Sequence, residues 1–503
     1  MKRKNRIACT ALMLMGALVL LSGCDLRETG PKLDSLPPLV TYKPLGEDSN
    51  EAPPNLRTVL DSGTLSCGVN FVVYQDGELL LTDGELSGSL LEEEVVKPRL
   101  EKVVSLVFGE GLEKVGSKFC AGMDKIKSVS FGPDTKEIEY AAFSDCTALA
   151  SVTFGENLTR IGEYAFSGCK ALKDVQLEQR IEQVGNYAFS DCTALKNVVI
   201  GQNVSEMGLG VFNGCTAFVS LSLDTNAMEK AFMNCTGLQM VEFGSHVTKI
   251  GRQAFRGCTG LVSIGFSPNV TEIGDYAFHE CSAMINVEIP QAVARVGNHA
   301  FEKCTALNEV RFPEDGSLTI GDSAFAGCSA LEGIELVSSI SGIGDYVFQD
   351  CTALKRVTFS PSLQEMGELL FQGCSELKNL EINLPVISSR AFADAAAIES
   401  VVFGPDVRII QTHAFSGCTG IKQLSIPEGI TELHDQAFYG CSDVEQVILP
   451  KSLTSLGRGV FFGCSSLGKV NYRGSEEKWD RLDKDRKWRE GAPNGSVGYN
   501  YKD

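Results

Sequence analysis

The stretch "YAFSDCTAL", Tyr187 to Leu195, sets Cys192 between an acid and a hydroxyl, Asp191 and Thr193, and taken alone it looks like a reactive-thiol site. Along the whole chain it is one copy of a repeat. Its phenylalanine position recurs sixteen times from Phe119 to Phe461, mostly at intervals of 23 residues. Counting from each cysteine, apolar residues follow at +3, +6 and +8, as in Cys146, Leu149, Val152, Phe154 and again in Cys351, Leu354, Val357, Phe359. The unit is AFxxCxxLxxVxF, followed by a turn and a step such as Ile161-Gly162 or Ile273-Gly274.

The +6 and +8 residues alternate with polar ones, as in "SVTF" at Ser151 to Phe154, which predicts one short strand per unit. So short a unit cannot bury its own apolar side, whereas stacked units pair their strands in parallel and cover one another. The predicted fold is a repeat solenoid of about 16 coils of 23 residues. One face carries a parallel β-sheet and the other carries short turns or 3-10/helical segments. At ~4.8 Å per coil the stack extends about 75 Å. The interval shrinks to 20 between Phe212 and Phe232 and to 21 between Phe371 and Phe392, and grows to 24 before Phe325. All three changes fall between a strand and the next AF, so the strand register is expected to survive them.

The strand pattern LxxVxF resembles the leucine-rich repeat. The combination of AFxxCxxL, the IG step and proline after the strand (Pro290, Pro313, Pro427, Pro450) resembles its BspA-like, treponemal-type subclass of surface lipoproteins. The resemblance spans about residues 103–472, assigned to the solenoid. Before it, residues 58–102 read as a β-rich N-terminal cap, with a hairpin signal at Asp76-Gly77. After it, residues 473–503 read as a C-terminal cap or tail, introduced by "YRGSEEKW" (Tyr472 to Trp479), which is similar to the family's terminal YxGxxxxW. The resemblance implies protein binding, in adhesion to host matrix or to other bacterial cells. A structural or scaffolding envelope protein without a host ligand is the alternative.

Eighteen cysteines in a chain with an export leader invite a disulfide framework. Fourteen of them, however, share one repeat position: Cys146, Cys169, Cys192, Cys215, Cys235, Cys258, Cys281, Cys304, Cys328, Cys351, Cys374, Cys418, Cys441 and Cys464. In register, adjacent copies point in parallel, so a bridge between them is strained. Met123 and Ala395 fill the same column. A structural ladder of buried free thiols is expected, with strained neighbour disulfides or metal binding as alternatives. No CxxC, HExxH or GxSxG motif occurs, and the five histidines are scattered, so neither an enzyme, a cofactor nor a metal is expected.

Residues 1–23 carry Lys2, Arg3, Lys4 and Arg6 before an uncharged run from Ile7 to Gly23, the pattern of a secretory signal. It ends in "LSGC", which resembles a bacterial lipobox and implies lipidation at Cys24 and anchoring to the bacterial membrane. Residues 24–57 hold six prolines and read as a tether. The formal charge of −19 argues against nucleic acid as partner. Protein ligands are expected on the outward strand columns, five and seven residues after each cysteine, where Glu288, Glu309, Arg311, Glu335 and Arg356 form the most charged part.

Overall fold

The computed structural model describes residues 57–177, 180–360, 363, 366–493 and 496–502. The secretory leader, Cys24 and the proline-rich segment up to residue 56 lie outside the described residues. From Arg57 on, the chain winds into a β-solenoid of about 18 turns, each of about 23 residues, with little helix. Each turn contributes one main-sheet strand. In Asn197–Ile200, Val198 and Ile200 are buried while Asn197 and Val199 are exposed, as period-two alternation requires. This strand pairs in parallel with Asp174–Leu177, Val175 opposite Val198 and Leu177 opposite Ile200. Identical positions of successive repeats therefore become neighbours, and every apolar column of the sequence becomes a continuous row of the core.

The opposite face takes the turn alternative of the sequence expectation and adds to it. No 3-10 or α-helical segment lies in the coils among the described residues; the short helices Leu90–Glu92, Lys97–Leu100 and Glu476–Arg481 belong to the two ends. Instead the residues ahead of the IG step form a second parallel ladder of very short strands: Lys114–Val115, Glu137–Ile138, Arg160–Ile161, Gln183–Val184 and Glu206–Met207. Two residues are too few to show a period of two, so this ladder leaves no signal in the hydrophobic pattern.

The AF segment itself is a turn whose backbone serves two directions alternately. Amides of Tyr187, Phe189 and Asp191 donate to the carbonyls of Leu209, Val211 and Asn213 in the next coil at 2.8, 2.9 and 2.8 Å. Those of Ala188 and Ser190 close turns onto Gly185 and Tyr187 of their own coil. The geometry puts Tyr187 and Asp191 at positive φ. Aspartate, asparagine and glycine tolerate that conformation best, which accounts for Asp145, Gly168, Asp191, Gly214, Asn234 and Gly257 immediately before the column cysteine.

The 20-residue interval shows what a shortened coil loses. No second-ladder strand forms between Glu206–Met207 and Lys249–Ile250. The side-chain oxygen of Asn226 takes its place, accepting the amides of Thr248 and Lys249 at 2.9 and 3.0 Å. Main-sheet register is kept across the deletion, with Leu221 opposite Val241.

Each end is closed by chain that copies part of a coil. At the N-terminal end, Asn70–Tyr74 and Glu78–Thr82 form a hairpin with Val59–Thr64 on its outer edge, and Glu78–Thr82 pairs in parallel with Ser105–Phe108. At the C-terminal end, Asp483–Lys484 extends the second ladder and Val497–Gly498 the main sheet. Between them the carbonyls of Lys487 and Trp488 accept the amides of Gly459 and Phe461 at 3.0 and 3.1 Å. Trp488 thus takes the backbone place of the residue before an AF phenylalanine, as Val460 does for Phe438, and its ring packs on Phe461. In the YxGxxxxW stretch, a Cβ on Gly474 would lie 2.5 Å from the Tyr472 ring, so only glycine fits under that tyrosine.

Candidate functional site

All fourteen column thiols are fully buried. Each donates to a carbonyl of the preceding coil at 3.1–3.4 Å: Cys146 to that of Cys120, the others to that of an AF phenylalanine, as Cys192 does to Phe166 at 3.3 Å. The same phenylalanine carbonyl accepts its own coil's cysteine amide, as Phe166 does from Cys169 at 3.3 Å. The thiol therefore reaches an acceptor that no backbone N–H of the next coil serves. The described cysteines are all free.

Burial pushes the Cys146 and Cys374 thiols up to about 12, so neither is a thiolate near neutrality. Burial likewise holds the Cys192 thiol well above the ordinary range, which works against its acting as a nucleophile. Because the folded Cys146 thiol titrates above the unfolded one, its contribution to stability is complete below about pH 9.0 and is lost as pH rises from there toward about 12, and a buried thiol such as that of Cys192 acts in the same direction. We expect the urea midpoint to fall between pH 8 and pH 10, and Cys192→Ala to shrink that fall while costing roughly 1 kcal/mol at neutral pH. Native protein should also resist thiol alkylation until urea unfolds it. Rapid labelling of the folded chain at neutral pH would contradict the assignment.

The five charged residues singled out on the strands all lie on the outward face of the main sheet. Glu288 stands directly opposite Arg311 in the pairing of Asn286–Glu288 with Glu309–Arg311. Glu309 binds the Arg311 guanidinium at 2.7 Å, and that bond, with Glu288 nearby, raises its pKa further. Both side chains are largely solvated, so the pair positions charge more than it stabilises the fold. One strand pair further on, Gly333 faces Arg356 and Glu335 faces Thr358. Lacking a side chain, Gly333 leaves room for the Arg356 guanidinium, whose Nη2 would sit 3.6 Å from a Cβ placed there.

The main-sheet ladder has several interruptions, one of them between Glu309–Arg311 and Gly333–Leu336. A depression of about 570 Å³ opens at this interruption, and Glu309, Arg311, Glu335 and Arg356 line it. Glu288 joins Glu309 and Arg311 at a smaller hollow of about 150 Å³ alongside. Four of the five residues thus converge on one depression. Reading only the columns five and seven residues after the cysteine passed over a neighbouring feature, the exposed apolar Val219, Val262 and Ile285 four residues after theirs.

Among the described residues no three histidine, cysteine or acidic side chains gather as a metal site, and no helix is long and apolar enough to cross a membrane. His299, in the column two residues before the AF phenylalanine, stacks on Tyr276 at 4.5 Å and shares Glu302 with the buried His279. His413 lies in the same column.

A stack of parallel strands with a polar outward face and an inert core of thiols and phenylalanines defines a leucine-rich repeat solenoid, a scaffold for protein contact. The BspA type leucine-rich repeat region matches residues 100–219, 225–319, 314–422 and 385–479, and the chain belongs to that family. Leucine-rich repeat families of this kind are typically non-enzymatic protein-interaction scaffolds. The chain is similar in fold to a leucine-rich repeat protein from Bacteroides ovatus, with 21% identity over 85% of this chain and 98% of that one and a TM-score of 0.56. It is also similar to a leucine-rich cell surface protein from Faecalibacterium prausnitzii, with 20% identity over 84% and 98% and a TM-score of 0.32. No curated protein matches it.

Proposed function

We propose that the chain is an exported protein, lipid-anchored at Cys24 to the bacterial envelope and exposed at the cell surface, that binds protein ligands of host matrix or of other bacterial cells. The reading is carried by the convergence of Glu309, Arg311, Glu335 and Arg356 on one depression of the outward sheet face. Arg356 has no ion-pair partner among the described residues, so its guanidinium is available to a ligand. The leader at 1–23 and the proline-rich tether at 24–57 support export and display away from the membrane.

Binding of the purified chain to immobilised matrix proteins and to bacterial cells tests this. Arg311→Gln with Arg356→Gln, which sets no like charge beside Glu288 and Glu309, should weaken any such binding at least about tenfold without lowering the thermal midpoint, since both side chains are exposed. An empty panel would favour a scaffolding role in the envelope. Anchoring is read separately, by mass spectrometry of the mature N-terminus: an unacylated residue downstream of Cys24 would refute it.

A further inference from the structure

The outward column four residues after the cysteine is polar or small in most coils, for example Lys173, Lys196, Asn308, Glu332 and Lys355. In the middle of the solenoid it turns apolar. Val219, Val262 and Ile285 are 54%, 38% and 43% exposed, and Met240, one position further on in the intervening coil, is 41% exposed. The four are consecutive along the stack. The Val219 carbonyl accepts the amides of Gln239 and Met240, Gln239 accepts Val262, and Val262 accepts Ile285. Met240 lies directly opposite both Ser220 and Ser263, hence diagonal to Val219 and Val262. They form one apolar stripe, one side chain per coil.

We infer that this stripe is a docking site for a cationic amphipathic helix of a partner protein lying along the solenoid axis. Spacing favours a helix over an extended segment. Three coil intervals at ~4.8 Å span about 14 Å; three helical turns advance about 16 Å, whereas three same-face steps of a strand advance about 20 Å and fall out of register. Charge sets the partner's sign. Glu242 flanks the stripe on the sheet face, in no ion pair among the described residues, and the chain carries −19 overall. Lys173 and Lys196, in the two coils before Val219, match the negative C-terminal end of such a helix, which orients it antiparallel to the stacking direction. A second copy of the chain fits poorly, because four half-exposed side chains fall far short of the ~800 Å² per partner of a stable dimer and the like net charges repel. The stripe is separate from the depression around Arg356, so the two surfaces are tested independently.

The probe is a fluorescent synthetic peptide about four turns long, with leucines at i, i+4, i+7 and i+11 and lysines flanking them, titrated into the full chain. Saturable binding is expected, with helix gained by the peptide, weakening in salt and at least about tenfold loss in Met240→Glu with Val262→Glu. Arg356→Glu should leave it unchanged. Both stripe residues are solvated, so the variant folds, and the milder Val219→Ser should give a smaller loss in the same direction. Equal binding of a sequence-scrambled or glutamate-flanked peptide, or full binding by the double variant, would overturn the inference. A dimer of the unmodified chain that Met240→Glu dissolves would overturn it in favour of self-association.

Discussion

Phe278→Ala should lower the stability of the solenoid by about 3–5 kcal/mol, among the largest losses a single side chain can produce here. Phe278 is fully buried and stacks on Phe255 and Phe301 at 5.5 and 5.3 Å, with the Phe266 ring edge-on at 6.1 Å. The stack of AF phenylalanines runs unbroken from Phe143 to Phe461, neighbouring centroids 5.1–5.9 Å apart. Removing one ring leaves a cavity that the coils cannot close, because the backbone on both sides is fixed by coil-to-coil hydrogen bonds such as Phe278 N–H to Ala300 at 2.8 Å. In a solenoid each coil touches only its neighbours, so the damage is local in space but divides the stack into two cooperative blocks. Urea unfolding should therefore begin earlier and become biphasic, with proteolysis starting near the altered coil. Phe278→Leu, which fills part of the cavity, should lose less. A midpoint and cooperativity equal to those of the unmodified chain would show that the stack does not carry this load.

The columns were legible in the sequence because stacking converts each repeat position into a row of contacts. Cys192, ambiguous in one copy, is defined by thirteen others at the same position, and the structure shows why a thiol suits it: a small buried group with one weak donor, facing a carbonyl otherwise reached only from its own coil. What escaped detection is what breaks or falls below the repeat. The second ladder is two residues wide in most coils. Asn226 stands in for a missing strand through its side chain, which no propensity encodes. The interruption of the main sheet beside Gly333, which brings Glu309, Arg311, Glu335 and Arg356 around one depression, follows from strand placement in three dimensions. The apolar stripe was visible in principle, as Val219, Val262 and Ile285 in a mostly polar column, but only if that column is read as outward-facing.

Trp488→Ala is the second change expected to cost about 3–5 kcal/mol, and its consequences differ in kind from those in the middle of the stack. The Trp479-containing cap motif was readable from "YRGSEEKW"; Trp488 lies outside that motif, yet its ring covers the last AF phenylalanine. Its ring meets Phe461 edge-on at 6.0 Å and Trp479 at 5.5 Å, and Trp479 in turn packs on Tyr472 at 5.2 Å. The three side chains close the end of the phenylalanine column, while the segment that carries them supplies the carbonyls for Gly459 and Phe461. Without the indole, that segment loses its largest apolar anchor and the terminal amides and the Phe461 ring become accessible to water. A solenoid end opened in this way is a template for another chain, because its strand edge and its core are both exposed. We expect early proteolysis after Tyr472, self-association in sedimentation experiments, and a lowered thermal midpoint that depends on protein concentration. Trp488→Phe, which keeps an aromatic ring against Phe461, should recover most of the stability. If Trp488→Ala instead remains monomeric with an unchanged midpoint, the closing function lies with Tyr472 and Trp479 alone.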